Sequence, residues 1–225
     1  MRDTFIFPKF SLQIFKVLSD EFPETYFVGG AVRNALLHQK ISDIDIATIA
    51  KPKQVTNVLE KAGIKFSEAH AKFGVIIAGA GDKKVEVTTF RKDSYSGSRY
   101  PTIAFAKTAK IDSLRRDFTI NSLYYSPTKN ELLDFHDGLG DIQKRRLKFI
   151  GEPKKRIKED ALRVVRAHRF ALQYNLKFEK QTTIALQKNI SLVKSISKTR
   201  IEKEINSIAT QELRETLKKV IHNNS

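Results

Sequence analysis

Cysteine is absent from this 225-residue chain, which removes disulfides, thiolate zinc sites and cysteine nucleophiles together. The five histidines, His38, His70, His136, His168 and His222, show no metal-ligand spacing such as HxxxH, so each reads as a surface or packing residue. No apolar run approaches the length of a membrane span. The first residues, MRDTFIFPKF, lack the long apolar stretch of a signal peptide. A cytoplasmic protein without a membrane association is expected. Acidic residues are also scarce: 25 Asp plus Glu stand against 41 Lys plus Arg, a net charge of +16. Such a surplus favours polyanionic partners, chiefly nucleic acid or anionic membrane. The apolar content, 40%, is ordinary and suffices for one large domain or two small ones.

The texture of the chain changes near residue 146. Before it, strand-like runs at 25–28 (TYFV), 41–49 (ISDIDIATI), 73–78 (FGVIIA) and 84–90 (KVEVTTF) alternate with helical candidates at about 10–21, 30–38 and 52–62. Pro52 opens the last of these helices. After it, strand signals nearly vanish. The run 152–175 carries Ile157, Ala161, Leu162, Val164, Val165 and Phe170 at helical spacing, and further helices are expected at about 180–190, 198–209 and 211–221. The pattern predicts an α/β head (residues 1–145) followed by a small helical neck (146–225). Residues 91–105 (RKDSYSGSRYPTIAF), rich in Ser, Gly, Tyr and charge, read as a long mobile loop.

Asp43-Ile44-Asp45 is the first candidate for chemistry. On a strand, alternate residues share a face, so both carboxylates would project to one side. Neighbouring anions repel, and a divalent cation compensates them well. Oxygen-only ligands suit Mg²⁺, which also takes substrate phosphates. An isolated DxD is more often an exposed strand face. Glu86, in a second strand between Val85 and Val87, could supply a third carboxylate for a two-metal site, or could simply be the polar side of an amphipathic strand. Upstream, Gly29 and Gly30 follow a strand and open a helix, where bare backbone and free N–H groups suit a phosphate; Arg33 can add a charged fork. A double glycine alone is most often a turn. The pattern is neither GxGxxG nor GxxxxGK[ST], which disfavours a dinucleotide fold and excludes a P-loop. Two arginine-rich segments follow. LRRDFTINSLYY (114–125) joins Arg115, Arg116 and Asp117 to an apolar stretch. KEDALRVVRAHRF (158–170) places Asp160, Arg163, Arg166 and Arg169 at successive i, i+3 steps, a recognition stripe or a solvated salt-bridge face.

Taken in order, GGAVRN, DID, VEVTTFR, RRDFTIN and EDALRVVRAHRF resemble the class II tRNA nucleotidyltransferases of the DNA polymerase β superfamily, over roughly residues 25–175. The resemblance implies a nucleotidyltransferase head with a small mixed sheet, then an all-helical neck. It implies CCA addition to the tRNA 3′ end from CTP and ATP, with Mg²⁺ (or Mn²⁺) as cofactor and no obligate protein partner. Asp43 and Asp45 would hold the metals and Glu86 would be the third carboxylate. Gly29, Gly30, Arg33, Arg116, Asp117 and Asn121 would serve the nucleotide. Asp160 and Arg163 match the motif that reads the incoming base, with Arg166 and Arg169 as further nucleotide-binding arginines. The segment 91–105 resembles the family's flexible loop, which argues against a CC-only enzyme. Asn34 departs from the acidic residue usual after GGxVR. Relatives continue into a body and tail that hold tRNA, so here the head, the neck and their positive charge are expected to provide the grip. A bacterial poly(A) polymerase is the nearest alternative, yet EAHAKFGVIIAG (68–79) looks like the tRNA enzymes and no basic GRRFR-type strand is found. Enzymes adding only CC or only A remain open at this point. A non-catalytic RNA-binding module has no need of Asp43, Asp45 and Glu86.

With the relatives' body and tail missing, tRNA affinity is expected to be weak and dominated by Lys and Arg contacts to phosphate, falling linearly with salt on a log–log plot with a slope set by the number of contacts. Lys154-Lys155 and Lys218-Lys219 are candidate contacts, or simply a solvated helix face. Filter binding across a salt series checks this; affinity unchanged from low to high salt would exclude it.

Overall fold

A computed structural model describes residues 5–96 and 100–223. The chain forms two compact units. The first comprises the residues up to Ser94 with Pro101–Arg116 and Ile120–Gly138; the second comprises Tyr95–Tyr100, Asp117–Thr119 and Leu139 onward.

The first unit runs α1 (Lys9–Glu21), β1 (Thr25–Val28), α2 (Gly30–Leu36), β2 (Asp45–Thr48), α3 (Pro52–Lys61), β3 (Phe66–Ser67), β4 (Val75–Ala80), β5 (Lys83–Thr89), β6 (Arg91–Ser94), β7 (Thr102–Phe105), α4 (Ala109–Ser113), β8 (Leu123–Ser126) and β9 (Glu131–Asp134). Seven strands form one mixed sheet in the order β3-β4-β5-β2-β1-β8-β9. Its one parallel pairing, β2 with β5, sets Asp45 opposite Glu86. β1 is buried on both faces, which explains its unbroken apolar run. Tyr26 and Val28 pack with Ala47, Phe90 and Tyr124 on one side. Phe27, on the other, stacks on Phe7 at 3.9 Å and on Phe15 of α1 at 5.1 Å. Pro52 begins α3, and the Gln54 side chain accepts from the Lys51 N–H at 2.9 Å.

Two expectations about this unit are corrected. β2 begins at Asp45, so Asp43 lies before the strand and does not share its alternation. The ladder from β1 ends at the Val28↔Asp45 pair, and the chain then turns at Gly29, leaving Asp43 no partner on that side. Residues 91–105 are not simply a loop: β6 and β7 form an antiparallel hairpin from Arg91↔Phe105 to Ser94↔Thr102. Its polar composition hides the ladder, because backbone hydrogen bonds need no apolar side chains. Residues 97–99 of that segment lie outside the described residues. Strands β8 and β9 and helix α4 were not foreseen.

The second unit contains most of α5 (Gly138–Gln143), then β10 (Arg146–Leu147), α6 (Pro153–Glu159), α7 (Leu162–Tyr174), β11 (Lys177–Phe178), α8 (Lys180–Asn189), α9 (Lys198–Asn206) and α10 (Gln211–Asn223). It is not wholly helical, since β10 and β11 make a two-residue parallel ladder. Nor is 152–175 one helix. Asp160 takes an extended conformation, φ −154° and ψ 109°, and its side chain accepts from the Leu162 N–H at 3.1 Å, which ends α6 and starts α7. Phe118 anchors the core of this unit, 4.6 Å from Phe149 and edge-on to Phe170 at 5.7 Å. His168 is a packing residue as expected, edge-on to Phe178 at 5.2 Å, and burial lowers its pKa. Among the described residues no helix is long and apolar enough to cross a membrane.

Phe27→Ala, at a fully buried ring between two others, should cost about 3–5 kcal/mol. Ile6→Ala, at a position 78% exposed, should change stability by less than about 0.5 kcal/mol. Urea unfolding measures both. Similar losses in the two variants would contradict this account of the core.

Candidate functional site

In the first unit the site begins where β1 ends. Gly29 has φ 71° and ψ −131°, a combination that side-chain-bearing residues avoid. A Cβ placed there would lie 3.3 Å from Asp45 Oδ2 and 3.5 Å from Arg116 Nη1. The bare Gly29 backbone thus lies directly against an acid and a base. Gly30 begins α2, whose Arg33 is buried rather than displayed. Its Nη1 donates to Asn121 Oδ1, while Nε and Nη2 fork onto Asn34 Oδ1 at 3.2 and 2.9 Å. Asn34 in turn donates to the Lys40 carbonyl at 3.0 Å. The amide at position 34 therefore supplies the acceptor that holds Arg33.

Asp45 and Glu86 are Cα partners across the parallel β2–β5 pair. Burial raises the Asp45 pKa first, and the Glu86 charge raises it further. Arg116 opposes this, Asp43 adds to it, and Arg115 opposes it again, leaving a value of about 6. Asp43 is exposed and accepts from Ser42 Oγ at 3.3 Å. Among the described residues no three Asp, Glu or His side chains are gathered closely enough to cage a metal by themselves.

The cationic half of this site depends on residues that the sequence reading overlooked. Asp112 of α4 is fully buried and accepts from Arg115 Nε at 2.8 Å, Arg116 Nη2 at 3.2 Å and the Arg91 N–H at 3.0 Å. The Tyr124 hydroxyl donates to Asp112 at 2.6 Å and accepts from Arg116 Nε at 2.9 Å. Burial would raise the Asp112 pKa, but Arg115, then Arg116 and Tyr124, outweigh it and hold the carboxyl near about 2. The signal was present in IDSLRR: an acid three and four residues before two arginines.

The second unit brings together the other predicted residues. Asp117 accepts from Arg166 at 2.9 and 2.6 Å, and Arg166 and Arg169 both reach Glu204, at 3.2 and 2.7 Å. Asp160 pairs with Arg200 at 2.7 Å. Arg163 pairs with Glu159 at 2.7 Å and lies 3.3 Å from the Tyr95 hydroxyl. Asp160, Glu159, Tyr95 and Arg200 line a cleft of about 930 Å³ together with Lys154, Lys155 and Lys158. The stripe is thus a run of ion pairs, of which Asp160 is the member that lines the cleft. Glu204 and Arg200 lie too far along the sequence for spacing to reveal them.

Residues 25–148 match the model of the poly(A) polymerase head domain, and the chain belongs to that family. The chain is 39% identical over 180 residues to the CCA-adding enzyme of Enterococcus faecalis, covering 79% of this chain and 43% of that protein. It is 40% identical over 188 residues to a CCA-adding enzyme of Lactobacillus delbrueckii subsp. bulgaricus, covering 83% and 46%. The crystal structure of the Bacillus stearothermophilus CCA-adding enzyme in complex with CTP aligns with a TM-score of 0.79 at 32% identity, covering 90% of this chain and 49% of that one. The chain spans about half the length of the curated relatives it matches.

A carboxyl whose pKa is higher folded than unfolded costs stability when it ionises. For Asp45 the cost is absent below about pH 4, grows as pH rises, and is complete above about 6. Asp45→Asn should therefore raise the melting temperature near neutral pH, with the gain disappearing towards about pH 4. Scanning calorimetry at the two pH values reads this out. A variant that melts lower than wild type near neutrality would contradict the electrostatic account.

Proposed function

We propose that this chain carries the catalytic and base-reading portion of an enzyme that adds CCA, without a template, to the 3′ end of tRNA from CTP and ATP, releasing pyrophosphate. The observation that carries the reading is Asp45 in register with Glu86, directly against Gly29 and beside Arg116. The donor set suits a hard divalent cation: it is all oxygen, and burial, then the charges of Glu86 and Asp43, raise the Asp45 pKa, a penalty on its ionised form that a dication would relieve. Asp43 and Asp45 would hold Mg²⁺, with Glu86 as the third carboxylate and substrate phosphates completing the shell. When bound, such metals lower the pKa of the attacking hydroxyl and neutralise the triphosphate.

The chain's own groups do the rest. Gly29 and Gly30 admit the triphosphate close to the backbone, and Arg116 neutralises it. Arg33 and Asn121 brace each other through a buried hydrogen bond in the same unit. The 3′ hydroxyl attacks the α-phosphate and pyrophosphate leaves. In the second unit, Arg166, Arg169, Asp117 and Glu204 form a charged frame of their own, and its arginines are the further nucleotide-binding candidates. Ionised Asp160 accepts from the exocyclic amino group of C or A, and Arg163 donates to the adjacent ring nitrogen. U presents a carbonyl where the amino group should be, and in both U and G the ring nitrogen carries a hydrogen, which leaves these groups frustrated. Each Asp160 oxygen keeps acceptor capacity beyond its bond to Arg200 or to Leu162 N–H.

Incubating tRNA lacking its 3′ end with CTP, ATP or both, resolved by length, tests the reading. CTP alone should add two residues, and the pair should complete CCA. A long tail from ATP alone would favour the poly(A) polymerase that the family's name allows. Asp43→Ala and Asp45→Ala should abolish addition with the fold intact. Asp160→Ala should lower the catalytic efficiency ratio of CTP over UTP by about tenfold or more; an unchanged ratio would mean that the neck does not read the base.

A further inference from the structure

We propose that Asp112 and Tyr124 are positioning residues that aim Arg116 at the nucleotide's triphosphate; the proposal rests on the assignment of Arg116 to those phosphates. An arginine has a long side chain with many rotamers, and it meets a ligand in one geometry only if something holds it there. Here the guanidinium is pinned. Its Nε donates to the Tyr124 hydroxyl at 2.9 Å and its Nη2 to Asp112 at 3.2 Å. The Tyr124 ring lies 5.1 Å from the guanidinium carbon, which fixes the plane as well as the edge. Nη1 lies on the side of Gly29, 3.5 Å from where a Cβ on that residue would stand. Both holding groups are fully buried, on separate elements, α4 and β8, so the clamp does not depend on one flexible segment. Asp112 also binds Arg115 and the Arg91 N–H, where the hairpin β6–β7 begins. One carboxylate thus anchors two arginines and the root of the hairpin. Charge fixed in place before the ligand arrives is more effective than charge that must be reoriented.

The test measures binding of CTP and of CMP to the full chain in EDTA, so that the arginine is read without metal. Tyr124→Phe keeps the ring and deletes only the hydroxyl. CTP affinity should fall about tenfold, the loss of one aimed charge-assisted contact, while CMP and tRNA affinities stay unchanged. Unchanged CTP affinity, or equal losses for CTP and CMP, would overturn the proposal. Arg116→Lys keeps the charge but has no planar fork to be clamped. It should lose the preference for CTP over CMP as Tyr124→Phe does, and it decides the question alone if Tyr124→Phe fails to fold. A lysine variant with the full preference would show that charge without aim suffices, and would sink the clamp. If wild-type protein shows no preference for CTP over CMP, the phosphate assignment fails before any substitution is made, and the proposal fails with it.

Discussion

Asp45 sits opposite Glu86 because β2 and β5 pair in parallel with that register, and the rest of the head is arranged around the resulting negative charge. Two carboxylates on adjacent strands repel, and burial of one of them removes the water that would screen the pair. The sheet cannot relieve this by slipping one residue, since that would turn Val85 and Val87 of β5 out of the core. Compensation has to come from outside the pair. Arg116 and Arg115 lower the Asp45 pKa, and they are themselves held by a buried acid, Asp112. Charges therefore alternate from the strand pair outward: acid, base, acid. The Gly29 turn lets the first two meet: its φ of 71° suits glycine, and a Cβ at that point would press on Asp45 at 3.3 Å.

The second unit solves a related problem with the signs reversed. Arg163, Arg166 and Arg169 crowd one side of α7, and each is matched by an acid: Glu159, Asp117 or Glu204. Such pairs contribute little net stability once desolvation is counted, but they fix side chains in one geometry. Asp160 gains the same fixity from Arg200 and from the helix break at its own backbone. If these groups read the base as proposed, they need that rigidity more than they need strength.

Much of this was legible in the sequence. The strands that became β1, β4 and β5 announced themselves by β-branched content, and α1, α3 and the helices after residue 180 by apolar spacing. What escaped was long-range or local in a particular way. The Asp45–Glu86 register depends on which strands neighbour each other, and alternation within a strand carries no such information. The alternation of ISDIDIATI puts Asp43 on the strand, whereas the partner strand ends two residues too early to hold it. Hairpin β6–β7 was read as a loop because its ladder lies in polar backbone. Strand β8 was hidden inside LRRDFTINSLYY, whose arginines drew attention away from Tyr124. Asp160 broke a helix whose apolar spacing ran on through the break, a choice made by one side-chain hydrogen bond.

Manganese binding followed by electron paramagnetic resonance, in the presence of a non-hydrolysable CTP analogue, tests most directly whether the β2–β5 carboxylates exist to receive a cation. The account predicts that the wild-type chain with the analogue withdraws more free Mn²⁺ than the analogue alone. It predicts that Asp45→Asn weakens this binding by about tenfold or more with the fold retained. Equal Mn²⁺ binding by the two proteins would contradict it.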